Sequence, residues 1–264
     1  MDKITRIEEN EFYEIAAVKG FNPDMLAKDY ALTEILFILK DTPNIYFKGG
    51  TALQKTILRH SRLSEDIDFT VTADVKKIDA EIVRLLEETK LFSPITHDKR
   101  VTQFTRIVVT YNLFGELKGE VFIDLNERAK LLEPPVRKAI EHFYGKSIPK
   151  FSMNLLGDKE LIAEKMAAGI ARNKPRDHYD IYRLIKTGHK IDQKLTERKC
   201  KSAGVEFSIL KLFSNANTLK NRWDTDMVPL LSQETDFPTM MRFLAKHFKL
   251  KEEKQKLKRK IPTN

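Results

Sequence analysis

Apolar residues recur along this chain with two periods, one typical of helices and one typical of strands. From the N-terminus to about Lys40 the spacing is helical, and Asn22-Pro23-Asp24 supplies a helix start. The run Ile45-Tyr46-Phe47-Lys48 then predicts a short strand, and another helix is expected from about Ala52. A glycine turn, Gly49-Gly50-Thr51, separates that strand from that helix.

Strand-like alternation continues further along the first half. Residues 66–71 alternate polar and apolar side chains, which predicts a strand with one buried face and with Asp66 and Asp68 together on the other. Residues 79–91 predict an amphipathic helix, and residues 105–113 and 120–125 predict two strands joined through Gly115 and Gly119. The first half is therefore expected to be α/β.

Helical periods dominate after about residue 150. A strand-like segment covers residues 148–153, and helices are predicted at residues 158–171, 176–186, 193–200 and 206–222. We therefore expect an α/β (α+β) protein with one domain over residues 1–150 and a mainly helical domain over residues 151–264. The basic stretch from Lys246 to Lys260 is either a solvated helix end or an arm that contacts phosphate.

Charge and composition narrow the class of protein. The 47 lysine and arginine residues outnumber the 38 acidic ones, and the net charge of +9 attracts polyanions such as nucleotides or nucleic acid without choosing between them. The longest apolar run, residues 35–39, is far shorter than the roughly 20 residues of a membrane span. The single cysteine, Cys200, is expected at an ordinary helix position. Met1-Asp2-Lys3-Ile4 lacks the features of a signal peptide, so a cytoplasmic protein is expected.

The glycine turn has two interpretations. Glycine lets the backbone approach a phosphate, and the N-terminus of the following helix offers unpaired N–H groups to an anion. A Gly-Gly pair is also frequent in plain turns, and this one lacks the residues of a P-loop or a dinucleotide fingerprint. The cations Lys48, Lys55, Arg59 and Arg62 around the turn either contact phosphate or face solvent.

Asp66 and Asp68 are the candidate metal ligands. Two carboxylates on one strand face repel each other unless a cation lies between them, and magnesium prefers oxygen ligands that it shares with substrate phosphates. An isolated Asp-x-Asp pair is common on protein surfaces. Beside a phosphate-binding turn, however, it is the arrangement that two-metal nucleotidyl transfer requires.

Two blocks of this sequence resemble the AbiEii/AbiGii toxin family of the polymerase-beta-like superfamily, which includes the MenT toxins. The first block comprises Gly49-Gly50-Thr51-Ala52-Leu53 and Arg62-Leu63-Ser64-Glu65-Asp66-Ile67-Asp68-Phe69. The second runs from Lys159 to Ala168 and continues through Arg172 to Arg176-Asp177-His178-Tyr179-Asp180-Ile181. Together the matched motifs span residues 48 to 181.

The resemblance implies a nucleotidyltransferase domain with a mixed sheet, a helical domain, and an active site in the cleft between them. It implies that Asp66 and Asp68 bind two Mg²⁺ ions, that Gly50 and Thr51 bind the triphosphate, and that Lys165 binds nucleotide phosphates. Either Asp180 or Asp177 would have a second essential acidic role. The expected nucleotide-binding set is Lys48, Gly49, Gly50, Thr51, Arg62, Arg172 and Arg176.

The residues themselves leave several of these roles open. Lys165 and Arg172 are seven positions apart on one predicted helix and would fall on nearly one face, directed at phosphate or simply at solvent. Asp177 would cap the next helix if it has no catalytic role, and Asp180 would pair with a neighbouring arginine. Asp124 ends a predicted strand and is either a third site carboxylate or a turn cap.

The expected reaction is transfer of a nucleoside monophosphate from an NTP to an acceptor. A hydroxyl group would attack the α-phosphate and pyrophosphate would leave. The resemblance implies RNA, in particular the tRNA 3′ end, as the acceptor and a toxin–antitoxin or abortive-infection role with an antitoxin partner. The alternatives are transfer to a protein or small molecule, and a non-catalytic protein that binds nucleotide or nucleic acid.

Overall fold

The computed structural model describes residues 4–260 and divides the chain between Leu161 and Ile162 into two units. Met1, Asp2 and Lys3, which begin the segment without signal-peptide features, lie outside the described residues. Elements of the first unit are α1 (Glu9–Lys19), α2 (Pro23–Leu39), β1 (Ile45–Lys48), α3 (Gly49–Thr56), β2 (Asp66–Val71), α4 (Val75–Thr89), β3 (Ile95–Val101), β4 (Phe104–Leu113), β5 (Leu117–Asn126), β6 (Val136–Ala139) and β7 (Ser152–Leu155).

Over the described part of the chain, these strands form one seven-stranded sheet in the order β3-β4-β5-β2-β1-β7-β6. β2 runs parallel to β5 and antiparallel to β1, while β1 runs parallel to β7. The remaining neighbours, β3 with β4, β4 with β5 and β6 with β7, are antiparallel. The mixed sheet and the α/β class are therefore confirmed.

One face of this sheet forms the core of the first unit. Ile67 and Phe69 of β2 and Ile123 of β5 are fully buried, because side chains alternate between the two faces of a strand. Helices α2 and α4 pack against β4 and β5. α2 is apolar around most of its circumference and starts at Asn22, whose side chain accepts hydrogen bonds from the N–H groups of Asp24 and Met25.

Helix dominates the second unit. α5 (Asp158–Arg172) continues across the division, and the elements after it are α6 (Pro175–Lys186), α7 (Gln193–Ser202), α8 (Ile209–Leu212), α9 (Ala216–Met227), a 3₁₀ turn (Val228–Leu230), α10 (Phe237–His247) and α11 (Leu250–Lys260). Their apolar faces bury a cluster around Tyr179 and Trp223 that also contains Cys200. The basic C-terminal stretch as far as Lys260 is thus helical except at Phe248 and Lys249, which lie between α10 and α11.

Several predicted boundaries were wrong. The helix expected from Ala52 begins at Gly49, so the glycines form its first turn. The helix expected over residues 206–222 is divided into α8 and α9, because the chain turns after Phe213 and restarts at Ala216. Gly119 lies within β5, opposite Tyr111, and only Gly115 belongs to the connection. A Cβ atom at Gly119 would lie 2.6 Å from the Tyr111 hydroxyl oxygen, which explains a glycine inside a strand.

The strands β3 and β6 and helix α10 were not predicted. Both strands lie at the edges of the sheet, and most of their side chains are exposed, so neither shows strong alternation. In the described part of the chain no helix is both long enough and apolar enough to cross a membrane.

Candidate active site

Asp66 and Asp68 project from the same side of β2, as the alternation predicted. Both are partly exposed, whereas Ile67 between them is fully buried. Asp68 lies opposite Lys48 of β1 on one side and opposite Asp124 of β5 on the other. Asp124, the carboxylate that β5 places beside Asp68, therefore lies more than fifty residues further along the chain.

The strand register extends this arrangement across four strands. Asp124 lies opposite Arg106 of β4, so Lys48, Asp68, Asp124 and Arg106 form one row of paired positions. Side chains of directly opposed residues project from the same sheet face. We call these four residues the charged row. It places two carboxylates between two cations.

The start of α3 lies against the acidic pair. Gly49 has a φ of +77°, and a Cβ atom there would lie 2.1 Å from Oδ2 of Asp68. Glycine is therefore required both by the backbone and by the approach of the carboxylate. The Thr51 hydroxyl group donates a hydrogen bond to the carbonyl oxygen of Asp66 and links the first turn of α3 to β2. The first N–H groups of a helix have no partner within it and can bind an anion, and Gly50 is among these residues.

The carboxylate of Asp124, the third in this part of the sheet, binds a guanidinium group. Nε and Nη2 of Arg106 donate hydrogen bonds to Oδ1 and Oδ2 of Asp124, at 2.7 and 2.8 Å. The hydrogen bond and charge of Asp124 raise the pKa of Arg106, and the charge of Asp66 contributes. The turn-cap role considered for Asp124 is wrong, because its carboxylate binds an arginine of the neighbouring strand. Sequence reasoning did not select Arg106.

The other cations near the glycine turn differ in exposure. Arg59 is exposed, and Lys48 is largely buried within the charged row. Solvent exposure was wrong for Lys55 and Arg62, which are both almost fully buried. Arg62 donates a hydrogen bond to the carbonyl oxygen of Leu63, at 2.7 Å. Its nucleotide-binding role stays a prediction.

Lys55 belongs to an internal network that the sequence did not reveal. Its Nζ lies 2.8 Å from Oδ1 of Asp29 and 2.9 Å from the hydroxyl oxygen of Thr33. The Tyr144 hydroxyl group donates to the same carboxylate, at 3.0 Å. This network links α2 to the C-terminal turn of α3 and therefore supports the helix that begins at Gly49.

A second charged cluster lies in the helical unit. Nζ of Lys165 on α5 lies 3.0 Å from Oδ1 of Asp177 and 3.1 Å from Oδ2 of Asp180 on α6. Arg172 holds Asp177 with two further hydrogen bonds, from Nε at 2.8 Å and Nη2 at 3.0 Å. Lys165 and the two aspartates are buried, while the side chain of Arg172 is 54% exposed.

The geometry of this cluster excludes the helix-cap role considered for Asp177 and the solvent-facing position considered for Lys165. Burial alone would raise the pKa of Asp177, but the charges and hydrogen bonds of Lys165 and Arg172 outweigh it and lower that pKa. Asp177 is therefore an ion-pair partner and not a helix cap, and Lys165 does not face solvent. Arg176 is partly buried at the start of α6. His178 is buried with its ring nitrogens 3.1 and 2.7 Å from the carbonyl oxygens of Lys174 and Leu212, which indicates a structural role.

The donor set of β2 fits magnesium. Two carboxylates on one face, beside a helix start that can receive phosphate, match a cation that binds few protein oxygens and shares substrate phosphates. Among the described residues no three or more His, Cys, Asp or Glu side chains form a preformed metal cage. On this donor chemistry, the residues that would hold Mg²⁺ are Asp66 and Asp68.

A comparison with models of protein families shows which family the chain belongs to. The family model described as nucleotidyl transferase AbiEii toxin, type IV toxin–antitoxin system, matches residues 30–248. The chain belongs to the AbiEii family. This AbiEii protein is therefore a nucleotidyltransferase, and both the resemblance and the enzyme class inferred from the sequence are confirmed. No curated protein sequence matches it.

Solved structures share the fold of this AbiEii protein at low sequence identity. MenT4, a nucleotidyltransferase toxin from Mycobacterium tuberculosis, is 20% identical with a TM-score of 0.61, over 83% of this chain and 73% of MenT4. JHP933 from Helicobacter pylori is 20% identical with a TM-score of 0.57, over 90% and 98%. A putative nucleotidyltransferase from H. pylori is 20% identical with a TM-score of 0.58, over 92% and 100%. These similarities confirm the fold class.

Proposed function

We propose that this AbiEii protein transfers a nucleoside monophosphate from an NTP to the 3′ end of tRNA, in a magnesium-dependent reaction in the cytoplasm. We further propose that it is the toxin of a toxin–antitoxin pair and is restrained by an antitoxin. The observation that carries the reaction is the contact between the carboxylate of Asp68 and Gly49, at the start of α3.

The proposed roles follow from that contact. The N–H groups at the start of α3, including those of Gly50 and Thr51, bind the triphosphate, while the Thr51 hydroxyl group keeps α3 in place against β2. Asp66 and Asp68 would hold magnesium, which when bound supplies charge stabilisation at the α-phosphate and the leaving pyrophosphate. Lys165, Arg172 and Arg176 stay proposed phosphate-binding residues, and Asp177 or Asp180 the proposed second acid.

The distribution of charge supports an RNA acceptor. Residues 162–264 contain 23 lysines and arginines but only 12 acidic residues, a net charge of +11. Residues 1–161 contain 24 and 26, a net charge of −2. The net positive charge of the protein therefore comes entirely from the helical unit. A small-molecule acceptor would not need so large a positive field, whereas the phosphates of RNA interact with it favourably.

The reaction is tested by incubating the protein with Mg²⁺, total RNA and each α-labelled NTP in turn, followed by denaturing electrophoresis. We expect one NTP to label a tRNA-sized band, and the Asp66→Asn and Asp68→Asn variants to label none while keeping their folded circular-dichroism spectrum. Full labelling by both variants would refute the proposed chemistry. Label on protein or on a small molecule, with none on RNA, would replace the acceptor.

The RNA interaction is tested separately from chemistry through salt dependence. Lys251 and Lys254 are exposed near the start of α11, and Lys76 and Lys77 are exposed near the start of α4 in the acidic unit. Replacing Lys251 and Lys254 with Gln should weaken tRNA binding and reduce the slope of log K against log salt by roughly 1 to 2. The matched Lys76→Gln/Lys77→Gln variant should bind as the wild type does. Equal effects of the two pairs would contradict RNA binding by the helical unit.

The toxin role has its own readout. Induced expression of the wild-type protein should arrest growth, and expression of the Asp68→Asn variant should not. Normal growth with the active enzyme present would separate the nucleotidyltransferase activity from toxicity.

A further inference from the structure

Arg106 is fixed on three sides. Two of its nitrogens bind both oxygens of Asp124, and its guanidinium carbon lies 5.2 Å from the centre of the Phe122 ring. Its remaining terminal nitrogen, Nη1, lies 3.6 Å from Oδ2 of Asp98. The side chain is nevertheless 34% exposed. An arginine held by a carboxylate fork and an aromatic face has little freedom left to lose when it binds a ligand.

The position of this arginine is set by the same register that forms the site. Arg106 ends the charged row, two strands away from Asp68. The ring that it covers belongs to Phe122, which lies opposite Asp66. The guanidinium is therefore held on the face of the sheet from which Asp66 and Asp68 project.

The guanidinium has more donors than Asp124 uses. It carries five N–H groups, and the fork to Asp124 occupies one on Nε and one on Nη2. The Nη1 edge points toward the more exposed Asp98, at a distance longer than a hydrogen bond. A phosphate group that approached this edge would find N–H donors in the planar geometry that phosphate prefers.

The fork also affects Asp124. Both of its oxygens accept short hydrogen bonds from a cation, so a metal ion or a proton would compete with Arg106 for this carboxylate. Without Asp124, the metal site would have Asp66 and Asp68 as its carboxylates.

We propose that Arg106 binds a phosphate of the NTP and that Asp124 positions it, instead of serving as a third metal ligand. This inference rests on the proposed nucleotidyl transfer and adds a substrate-binding residue to it. Arg106 supplies the phosphate contact from β4, and Asp124 together with Phe122 holds the guanidinium in the orientation that the contact needs.

Binding of Mn²⁺ alone, measured by electron paramagnetic resonance, tests the role of Asp124. Asp66→Asn and Asp68→Asn should each weaken Mn²⁺ binding at least tenfold, because each loses a ligand of an oxygen site. Asp124→Asn should keep the wild-type affinity within about twofold, because it is not a ligand. A loss in Asp124→Asn as large as that in Asp68→Asn would overturn the proposal.

Nucleotide binding tests the role of Arg106. With α,β-methylene analogues of the four NTPs, Arg106→Gln should weaken binding roughly tenfold, and Arg106→Lys should recover only part of it because lysine lacks the fork. The matched control is Arg84→Gln, since Arg84 is also held by carboxylates, those of Glu81 and Glu88, but lies on the exposed face of α4. Unchanged analogue binding in Arg106→Gln would overturn the proposal.

The dependence of Arg106 on Asp124 is tested by a double-mutant cycle. Asp124→Asn should raise the KM for NTP with a smaller change in kcat, and the double variant should be no worse than Arg106→Gln alone. Additive effects would show that Asp124 does not act through Arg106. Wild-type Mn²⁺ affinity in Asp66→Asn and Asp68→Asn would refute the proposed metal site instead, and the analogue measurements would still decide the role of Arg106.

Discussion

Replacing Lys165 with methionine should strongly destabilise the helical unit. The lysine ammonium lies between the carboxylates of Asp177 and Asp180, and all three side chains are at most 3% exposed. Removing one member of a buried charge cluster costs about 3 to 5 kcal/mol, because the remaining charges lose their compensation. Arg172 continues to hold Asp177, so we expect the lower end of that range, about 3 kcal/mol.

The only tryptophan of the chain makes this unit observable. Trp223 is 5% exposed and belongs to the core of the helical unit, so its fluorescence in urea reports the unfolding of that unit. The free energy of unfolding should fall by about 3 kcal/mol in Lys165→Met. Lys199→Met is the control, because Lys199 pairs at 3.3 Å with Glu164, which stays accessible to water, and should cost less than about 1 kcal/mol.

A second substitution separates loss of charge compensation from loss of packing. Lys165→Met/Asp180→Asn also removes the negative charge of Asp180, which Lys165 balances in the wild type, and should recover a substantial part of the stability. A Lys165→Met variant that loses less than about 1 kcal/mol would refute the buried cluster. A double variant that is less stable by the sum of the two single effects would show that the two residues do not interact.

Three further outcomes follow from the geometry. Gly49→Ala, whose Cβ atom would enter the Asp68 carboxylate, should reduce labelling by roughly a hundredfold, whereas Gly115→Ala, with a similar φ of +83° but no atom within 4 Å, should keep it. Because the pKa of Asp177 is lowered in the folded protein, its stabilising contribution is present above about pH 4 and is lost as the pH falls; Asp177→Asn should abolish that loss in Trp223 fluorescence titrations. Burial raises the pKa of Glu34 from 4.5 to about 7, so the folded protein holds this proton more tightly than the unfolded chain does. The free energy of unfolding should therefore fall by roughly 3 kcal/mol as the pH rises from 4.5 to 7, and Glu34→Gln should remove this pH dependence in thermal unfolding.

Features that depend on neighbouring residues could be predicted from the sequence. The i, i+2 spacing of Asp66 and Asp68 determines that they share a face wherever β2 lies in the sheet. The positions of β1, β2 and most helices likewise follow from local periodicity. β3 and β6 could not be found in this way, since no side chain of either edge strand is fully buried and neither strand needs apolar alternation.

Burial of charge was the main feature that the sequence did not show. A lysine is ordinarily solvent-exposed, and what buries Lys55 is Asp29, 26 positions earlier on a different helix. Lys165 is buried for the same reason, because α6 returns Asp177 and Asp180 to α5. Neither pairing can be read from spacing alone, since each depends on how two helices pack.

The pairing of Asp124 with Arg106 could be predicted from the sequence if the turn between β4 and β5 were placed correctly. That placement depends on which glycine belongs to the turn. A hairpin connection fixes the register of both its strands. The loop at residues 114–116 pairs Leu113 with Leu117, and continuing that register pairs Arg106 with Asp124. Had Gly119 belonged to the connection, the register would shift and bring a different residue opposite Asp124. The role of that carboxylate is therefore determined by the turn at Gly115, and a change in loop length there should separate Asp124 from Arg106 without altering either residue.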